Sequence, residues 1–157
     1  MNHPITQAIR FLRQKKIEFV PYLFDYVEKG GTSYSSQVLG VNEHEIIKTL
    51  VFETNEKIAL IVLQHGDRQV STKNLARHIK AKSVSPAPWG RASRVTGYIF
   101  GGTSPFGLKT RMPIYAEKSI FDLPKIYING GKRGFLVEID PKVLKEVLAI
   151  EEVEVSQ

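Results

Sequence analysis

The chain has 157 residues, of which 42% are hydrophobic, so we expect one globular domain over residues 1–157. It contains no cysteine, which excludes disulfides, thiolate metal ligands and a cysteine nucleophile. The formal net charge of +6 favours a polyanionic partner. No apolar run approaches the roughly 18–20 residues of a membrane span, so we expect a cytoplasmic protein without a membrane partner.

The first elements are a helix and a strand. Apolar residues at helical spacing from Ile5 to Leu12, with basic residues mostly off that stripe, predict an amphipathic helix. Residues 18–25 have the composition of a strand. Pro21 lacks an amide donor, which places this strand at a sheet edge or a bulge.

A short helix and a hairpin follow. Ser33 is a plausible N-cap for a helix over 34–39, and Gly40 is its terminator. Two apolar, β-prone runs then flank 54–56 and predict a hairpin. Lys48 lies at the start of the first strand of this hairpin.

The middle of the chain mixes helices and short strands. Ser71 is a suitable cap for a helix over 72–79, and a short strand and helix are expected between 82 and 95. Further strands are expected at 98–100, 111–115 and 126–129.

The last elements are a helix and a strand. Asp140 and Pro141 suit the start of a helix that reaches about Leu148, and residues 150–155 form a closing strand. The element order therefore predicts a mixed α/β fold whose sheet is partly closed like a barrel and surrounded by helices.

Lys48 is the first candidate functional residue. It lies among apolar residues in IIKTL, where an unpaired ammonium is costly to desolvate. The alternative is a lysine that extends to solvent from an edge strand. For its neighbour Thr49, the simplest interpretation is a β-prone strand residue.

Two glycine-rich stretches are the other candidates. The first glycine segment, GGTSPFG at 101–107, nearly matches a phosphate-binding P-loop, but Leu108 interrupts the motif and no helix follows. The second glycine segment, NGGKRG at 129–134, adds two cations. Glycines allow backbone N–H groups to approach a carbonyl oxygen, an oxyanion or a phosphate. A plain turn remains the alternative for each segment.

Common catalytic sets do not assemble. The four histidines show no metal-ligand spacing, and we expect each of them at the surface. Ser104 precedes Pro105 and lacks the glycine pattern of a nucleophile elbow. No metal and no cofactor are therefore expected.

Three motifs together resemble one family: KTL at 48–50, TGYIFGGTSPFG at 96–107 and INGGKRG at 128–134. In this order they resemble the YbaK family, free-standing relatives of the editing domain inserted in bacterial prolyl-tRNA synthetases. The resemblance implies a deacylase for mischarged tRNA, most characteristically Cys-tRNA(Pro), with Cys-tRNA(Cys) as another substrate. It implies the aminoacyl-tRNA 3′ end as partner, prolyl-tRNA synthetase as a second one, and no DNA.

The resemblance also implies the site. Lys48 and Thr49 match the catalytic pair, and the substrate-binding positions are Phe24, Gly101, Gly102, Thr103, Ser104, Asn129, Gly130, Gly131 and Lys132. The family mechanism needs no protein nucleophile, because the substrate thiol attacks its own ester carbonyl and leaves as a cyclic thiolactone. In that mechanism Lys48 and backbone amides orient the ester and stabilise negative charge.

Two departures from the family pattern affect the amino-acid pocket. Phe24 stands where familiar members carry a tyrosine, and Leu136 stands where some carry an acidic residue. Two alternatives therefore remain: a deacylase for another small amino acid, such as Ala-tRNA(Pro), and a non-catalytic RNA-binding or regulatory module.

Overall fold

The computed structural model describes residues 2–157. Its helices are α1 Gln7–Gln14, α2 Gly31–Leu39, α3 Thr72–Ile79, α4 Trp89–Thr96 and α5 Lys142–Val147. Its strands are β1 Val20–Leu23, β2 Ile46–Thr54, β3 Ala59–His65, β4 Val84–Pro86, β5 Ile114–Glu117, β6 Ile126–Lys132, β7 Phe135–Ile139 and β8 Ile150–Val153. Short 3₁₀ helices occupy Glu43–Glu45 and Lys118–Asp122.

The eight strands form one mixed sheet, in the order β1-β7-β6-β2-β3-β5-β8 with β4 beside β2. The β2–β3 and β6–β7 pairs are antiparallel, whereas β2–β6, β3–β5 and β5–β8 are parallel. The mixed α/β class is confirmed, but the partly closed barrel is wrong: within residues 2–157, β1 and β8 do not pair. The two edge strands carry residues typical of edges that face solvent: Pro21 in β1, and the exposed Glu151 and Glu152 in β8.

The two faces of the sheet are buried by different helices. One face carries the main core, with α1 and α5 packed on it, because β2, β3, β5, β6 and β7 all send aliphatic side chains to that side. The opposite face carries two smaller apolar clusters. One includes Phe52 and Leu75 of α3, and the other includes Ile46 with Leu39 of α2. Lys48 belongs to this second face, between the two clusters.

An opening in the sheet lies beside the middle of β2. Strand β6 pairs with β2 only at Ile46 and Ile47, and β4 pairs only from Phe52 onward. Between these points, within the described chain, β2 has a strand partner on one side only, which is β3. We call this interval, residues 48–50, the open edge of β2. It is the feature of the fold on which the candidate site depends.

Most predicted elements of the first half are confirmed. Helix α1 buries Ala8, Ile9 and Leu12, although Ile5 lies before the helix and is 46% exposed. Strand β1 is an edge strand, and β2 and β3 form the expected hairpin. The Ser71 hydroxyl accepts a hydrogen bond from the Asn74 amide at 3.2 Å and caps α3.

Three local predictions are wrong. Helix α2 begins at Gly31 rather than after Ser33, although Gly40 ends it in the left-handed conformation, as expected. Residues 98–100 are not a strand, because Gly97 ends α4 in the left-handed conformation and the Gly102 amide then donates to the Ile99 carbonyl at 2.9 Å in a turn. Part of the second glycine segment is strand rather than loop, because β6 continues through Lys132 with an irregular register.

The structure also bears on membrane insertion. Among residues 2–157 no helix is both long enough and apolar enough to span a bilayer.

Candidate functional site

Lys48 is half-buried on β2, and its ammonium donates to the Arg68 carbonyl at 2.5 Å. Burial lowers the pKa of Lys48, an effect opposed by the nearby charges of Glu43 and Asp67. The turn that supplies the Arg68 carbonyl is anchored at Gly66, whose amide donates to the Ile46 carbonyl at 2.6 Å. Lys48 is therefore held in one direction by a fixed backbone acceptor.

Thr49 lies in the middle of the open edge. Its hydroxyl oxygen is buried and has no hydrogen-bond partner among the described residues. Its backbone groups point into the opening, because the Val51 carbonyl bonds the Ala87 amide on that side and alternate residues of a strand point the same way. A buried hydroxyl without a partner is unfavourable, so Thr49 is suited to binding a ligand in this opening.

Asn129 joins the two glycine segments. Its side-chain oxygen accepts from the amides of Gly131 at 2.6 Å and Lys132 at 3.1 Å. Its side-chain nitrogen donates to the Gly101 carbonyl at 3.1 Å. Asn129 also follows Ile128, which pairs with Ile47, so it lies beside Lys48 on the same face of the sheet. The second glycine segment is thereby connected to both the first segment and β2.

The glycine segments approach each other through their backbones. A Cβ atom on Gly102 would lie 3.0 Å from the Arg133 nitrogen and 3.1 Å from the Lys132 carbonyl carbon. A Cβ on Gly134 would lie 2.3 Å from the Phe24 carbonyl oxygen. Glycine at these positions therefore permits backbone contacts that a side chain would prevent.

The remaining predicted site residues occupy different environments. Thr103 and Ser104 are buried inside the first glycine segment, where the Ser104 hydroxyl accepts from the Phe106 amide at 3.2 Å. The Gly130 carbonyl accepts from the Thr6 hydroxyl at 2.5 Å, which fixes α1 against the end of β6. Phe24 packs beside Leu136 in the small cluster on the face of Lys48. These two side chains give that part of the site an apolar lining.

One of the four histidines differs from its expected surface position. His65 is only 1% exposed, with its two ring nitrogens 2.7 Å from the His44 carbonyl oxygen and the Ser119 hydroxyl. Burial lowers its pKa, so the neutral ring is favoured. The surface prediction is therefore wrong for His65, because β3 is buried to its last residue. Among residues 2–157 no group of three or more metal-binding side chains occurs.

Two open surface depressions contain none of the predicted site residues. One lies beside β1 and Asp140, and the other lies between α3 and β8. Neither has the buried unpaired hydroxyl or the close glycine backbones found beside the open edge of β2. We therefore place the candidate site at that edge.

Similarity to known proteins identifies the type of site. A family model described as the aminoacyl-tRNA editing domain matches residues 32–147, which include Lys48 and both glycine segments. The chain belongs to this family. The editing domain is 30% identical over 140 residues to EbsC of Enterococcus faecalis, covering 88% of this chain and 85% of EbsC. That protein's name provisionally describes a Cys-tRNA(Pro)/Cys-tRNA(Cys) deacylase.

Two further relatives connect the editing domain to prolyl-tRNA synthesis. It is 31% identical over 104 residues to the proline–tRNA ligase of Streptococcus equi subsp. zooepidemicus, covering 66% of this chain but 17% of the ligase. A crystal structure provisionally described as a trans-editing enzyme for prolyl tRNA synthetase has the same fold. Its TM-score is 0.84 at 20% identity, over 96% of this chain and 95% of that one. The editing domain is an enzyme of the aminoacyl-tRNA deacylase class.

Several features around the site were missed by sequence reasoning. The Arg91 guanidinium makes two hydrogen bonds to the Glu53 carboxylate, at 2.6 and 3.0 Å, and so fixes α4 on β2. The Arg133 guanidinium donates to the Phe100 carbonyl at 2.7 Å. Both pairs join residues more than 30 positions apart, so no local pattern in the sequence indicates them.

Proposed function

We propose that this editing domain removes cysteine from Cys-tRNA(Pro), and secondarily from Cys-tRNA(Cys). The observation that carries the proposal is the open edge of β2, which contains Lys48 and Thr49, is paired by β3 alone and is followed on the β6 side by Asn129. The description of EbsC supports the choice of cysteine. Prolyl-tRNA synthetase is the proposed partner, and it determines which tRNA the complex binds.

The chemistry follows from groups that the substrate itself provides. The thiol sulfur attacks the ester carbonyl carbon, the bond from that carbon to the ribose oxygen breaks, and the thiol proton passes to this oxygen. The products are a cyclic thiolactone and uncharged tRNA. The protein contributes no sulfur, since the chain lacks cysteine, and acts by orientation and electrostatic stabilisation.

Each proposed site residue has a role in this scheme. The Lys48 ammonium and the Thr49 hydroxyl hold the ester at the open edge. The backbone of the first glycine segment, at Gly101 to Ser104, faces the developing oxyanion. The second segment, at Asn129 to Lys132, binds the terminal ribose and phosphate. Phe24 lines the amino-acid pocket.

Alanine is the second candidate substrate. Phe24 and Leu136 lie together in an apolar cluster, a surface suited to a small apolar side chain such as that of Ala-tRNA(Pro). Alanine has no thiol, so its removal requires attack by water. The identity of the released product therefore separates the two candidates.

Single-turnover deacylation tests the proposal directly. The protein is mixed in excess with Cys-tRNA(Pro), Cys-tRNA(Cys) and Ala-tRNA(Pro), and the released compound is identified. We expect fastest release from Cys-tRNA(Pro), with a thiolactone as the first product. If alanine alone is released, the amino acid that this protein removes is alanine rather than cysteine. A folded protein that accelerates none of the three reactions would favour the non-catalytic RNA-binding alternative.

A further inference from the structure

An exposed aromatic pair lies next to the candidate site. The rings of Trp89 and Phe100 meet edge to face, with centroids 4.2 Å apart. Trp89 is 43% exposed and Phe100 47%, so each ring keeps surface in water after this contact. Exposed apolar side chains in contact with one another mark a binding surface more often than scattered single ones do.

The two aromatic residues belong to chain segments on opposite sides of the opening beside β2. On one side, the Ala87 amide donates to the Val51 carbonyl at 3.0 Å, and Trp89 follows two residues later. On the other side, Phe100 immediately precedes Gly101, which accepts from Asn129. The two rings thus connect the β4 side of the opening with its β6 side.

Positive charge accompanies these rings. Arg133 donates to the Phe100 carbonyl at 2.7 Å, and its guanidinium lies 4.9 Å from the centroid of the Tyr26 ring. Lys132, Arg133 and Arg94 of α4 are exposed. Aromatic rings interleaved with cations are the surface that single-stranded nucleic acid binds, since bases stack on rings and phosphates pair with cations.

The helix turn that carries Trp89 is attached to β2 by a paired charge two residues later. The two hydrogen bonds between Arg91 and Glu53 attach the first turn of α4 to β2. The Arg91 hydrogen bonds hold the pKa of the Glu53 carboxyl below its ordinary value. A preformed ring surface loses little conformational entropy on stacking, which favours binding.

We propose that Trp89 and Phe100 form a stacking surface for the unpaired nucleotides at the 3′ end of the tRNA, upstream of the terminal aminoacylated adenosine. The inference rests on the proposed function, because it assumes that the ester occupies the open edge of β2. The bases of the nucleotides that precede the terminal adenosine stack on Trp89 and Phe100, and the phosphates of these nucleotides pair with Lys132 and Arg133.

Trp89 is the only tryptophan in the chain, so its fluorescence reports on this surface alone. The probe is an uncharged RNA hairpin that ends in an unpaired 3′ CCA, compared with the same hairpin with a blunt end. We expect saturable quenching by the first RNA and at least tenfold weaker binding of the second. Phe100→Ala should weaken binding of the CCA hairpin about tenfold, within the range for loss of one stacked base.

Ile58→Ala is the matched control, because Ile58 is 54% exposed in the β2–β3 turn and belongs to neither side of the opening. It should leave the titration unchanged. Equal quenching by both hairpins, or unchanged affinity in Phe100→Ala, would overturn the proposal. If the Trp89 fluorescence changes with prolyl-tRNA synthetase but with neither RNA, the surface binds a protein partner instead.

Deacylation separates this inference from the proposed function. Trp89→Ala should raise KM for Cys-tRNA(Pro) while leaving single-turnover release from cysteinyl-adenosine unchanged, because that small ester has no preceding nucleotides. If Trp89→Ala matches the parent on both substrates, the stacking surface is wrong and the deacylase stands. If the parent protein deacylates neither substrate but CCA quenches Trp89, the proposed function fails and the stacking surface stands.

Discussion

At the scale of single residues, Lys48 and Thr49 place polar groups on opposite faces of β2, with the Lys48 side chain half-buried and the Thr49 hydroxyl oxygen fully buried. Lys48 gains one backbone acceptor, the Arg68 carbonyl, and its pKa is lowered by burial. The Thr49 hydroxyl gains no partner among residues 2–157. Groups of this kind reduce the free energy of unfolding, and they concentrate where a protein binds or reacts with a ligand.

Replacing Lys48 with alanine tests its proposed role. We expect single-turnover deacylation to slow by about a hundredfold or more, because a preorganised charge beside the ester is lost. The fold should persist, since the Lys48 side chain lies between two apolar clusters rather than within one. Thermal melts of the variant check that it is folded. Lys142→Ala, at an exposed position of α5, is the control for loss of a lysine elsewhere. Parent-like rates in folded Lys48→Ala would remove the assigned role.

Thr49→Val separates stability from activity. The change keeps the side-chain shape and removes the unpaired hydroxyl, so the free energy of unfolding should rise by about 1 kcal/mol. Deacylation should nevertheless slow, because the hydroxyl is proposed to bind the ester. Denaturant unfolding and single-turnover rates measured on the same sample give both values. A more stable variant with an unchanged rate would show that Thr49 has no part in the reaction.

At the scale of elements, the site depends on how segments from different parts of the chain meet. Strand β6 leaves β2 after Ile128, and the second glycine segment then contacts the first. Tyr98 and Phe106, both in the main core, fix the two ends of the stretch that contains the first glycine segment. The contact is made by backbone, so its spacing depends on the absence of side chains.

Gly102→Ala tests this backbone contact. The added methyl would meet the backbone of Lys132 and Arg133 at 3.0–3.2 Å and force the two segments apart. We expect deacylation to fall about tenfold or more, as misplacement of site groups by fractions of an ångström is costly. Gly90→Ala in α4 is the control, because its added Cβ would meet nothing within 4 Å beyond its chain neighbours and the backbone of its own helix. Equal rates for both variants would contradict a role for the contact.

At the scale of the whole molecule, 22 lysines and arginines against 16 acidic residues give the net charge of +6. One lysine far from the glycine segments, Lys145 of α5, is paired with an acidic residue, Glu152 of β8. Lys132 and Arg133, beside the glycine segments, are exposed near the proposed RNA path. These two side chains therefore add positive charge on the side of the candidate site, where a polyanionic partner would bind.

Salt dependence tests this arrangement. Affinity for tRNA should fall steadily between about 50 and 200 mM salt, because each phosphate contact releases counterions. Lys132→Ala should weaken binding. It should also reduce the slope of log affinity against log salt by roughly one, the change expected for loss of one phosphate contact. Lys145→Ala, which removes a lysine already paired with Glu152, should change neither. Anisotropy of labelled tRNA measures both quantities, and an affinity indifferent to salt would remove RNA as the partner.

Local patterns in the sequence predicted much of the fold. Helix α3 with its Ser71 cap, the β2–β3 hairpin and the edge position of β1 all depend on residues within a few positions of one another. The prediction of a strand at 98–100 was wrong because this segment lies between the end of α4 at Gly97 and the turn from Ile99 to Gly102, where the tertiary arrangement outweighs local β propensity. The placement of His65 was wrong for a related reason, since tertiary packing buries the end of β3.

The sequence by itself determined the residue types at the site: a lysine and a threonine in a strand, two glycine segments, an excess of positive charge and no cysteine. Only the tertiary structure decided how they meet. The open edge of β2 exists because β6 and β4 pair with different parts of the same strand, across some 80 and 30 residues of chain. The link from Asn129 to Gly101 and the contact of Trp89 with Phe100 are equally non-local. Pairings of this length follow from packing of the whole core, which no local pattern records.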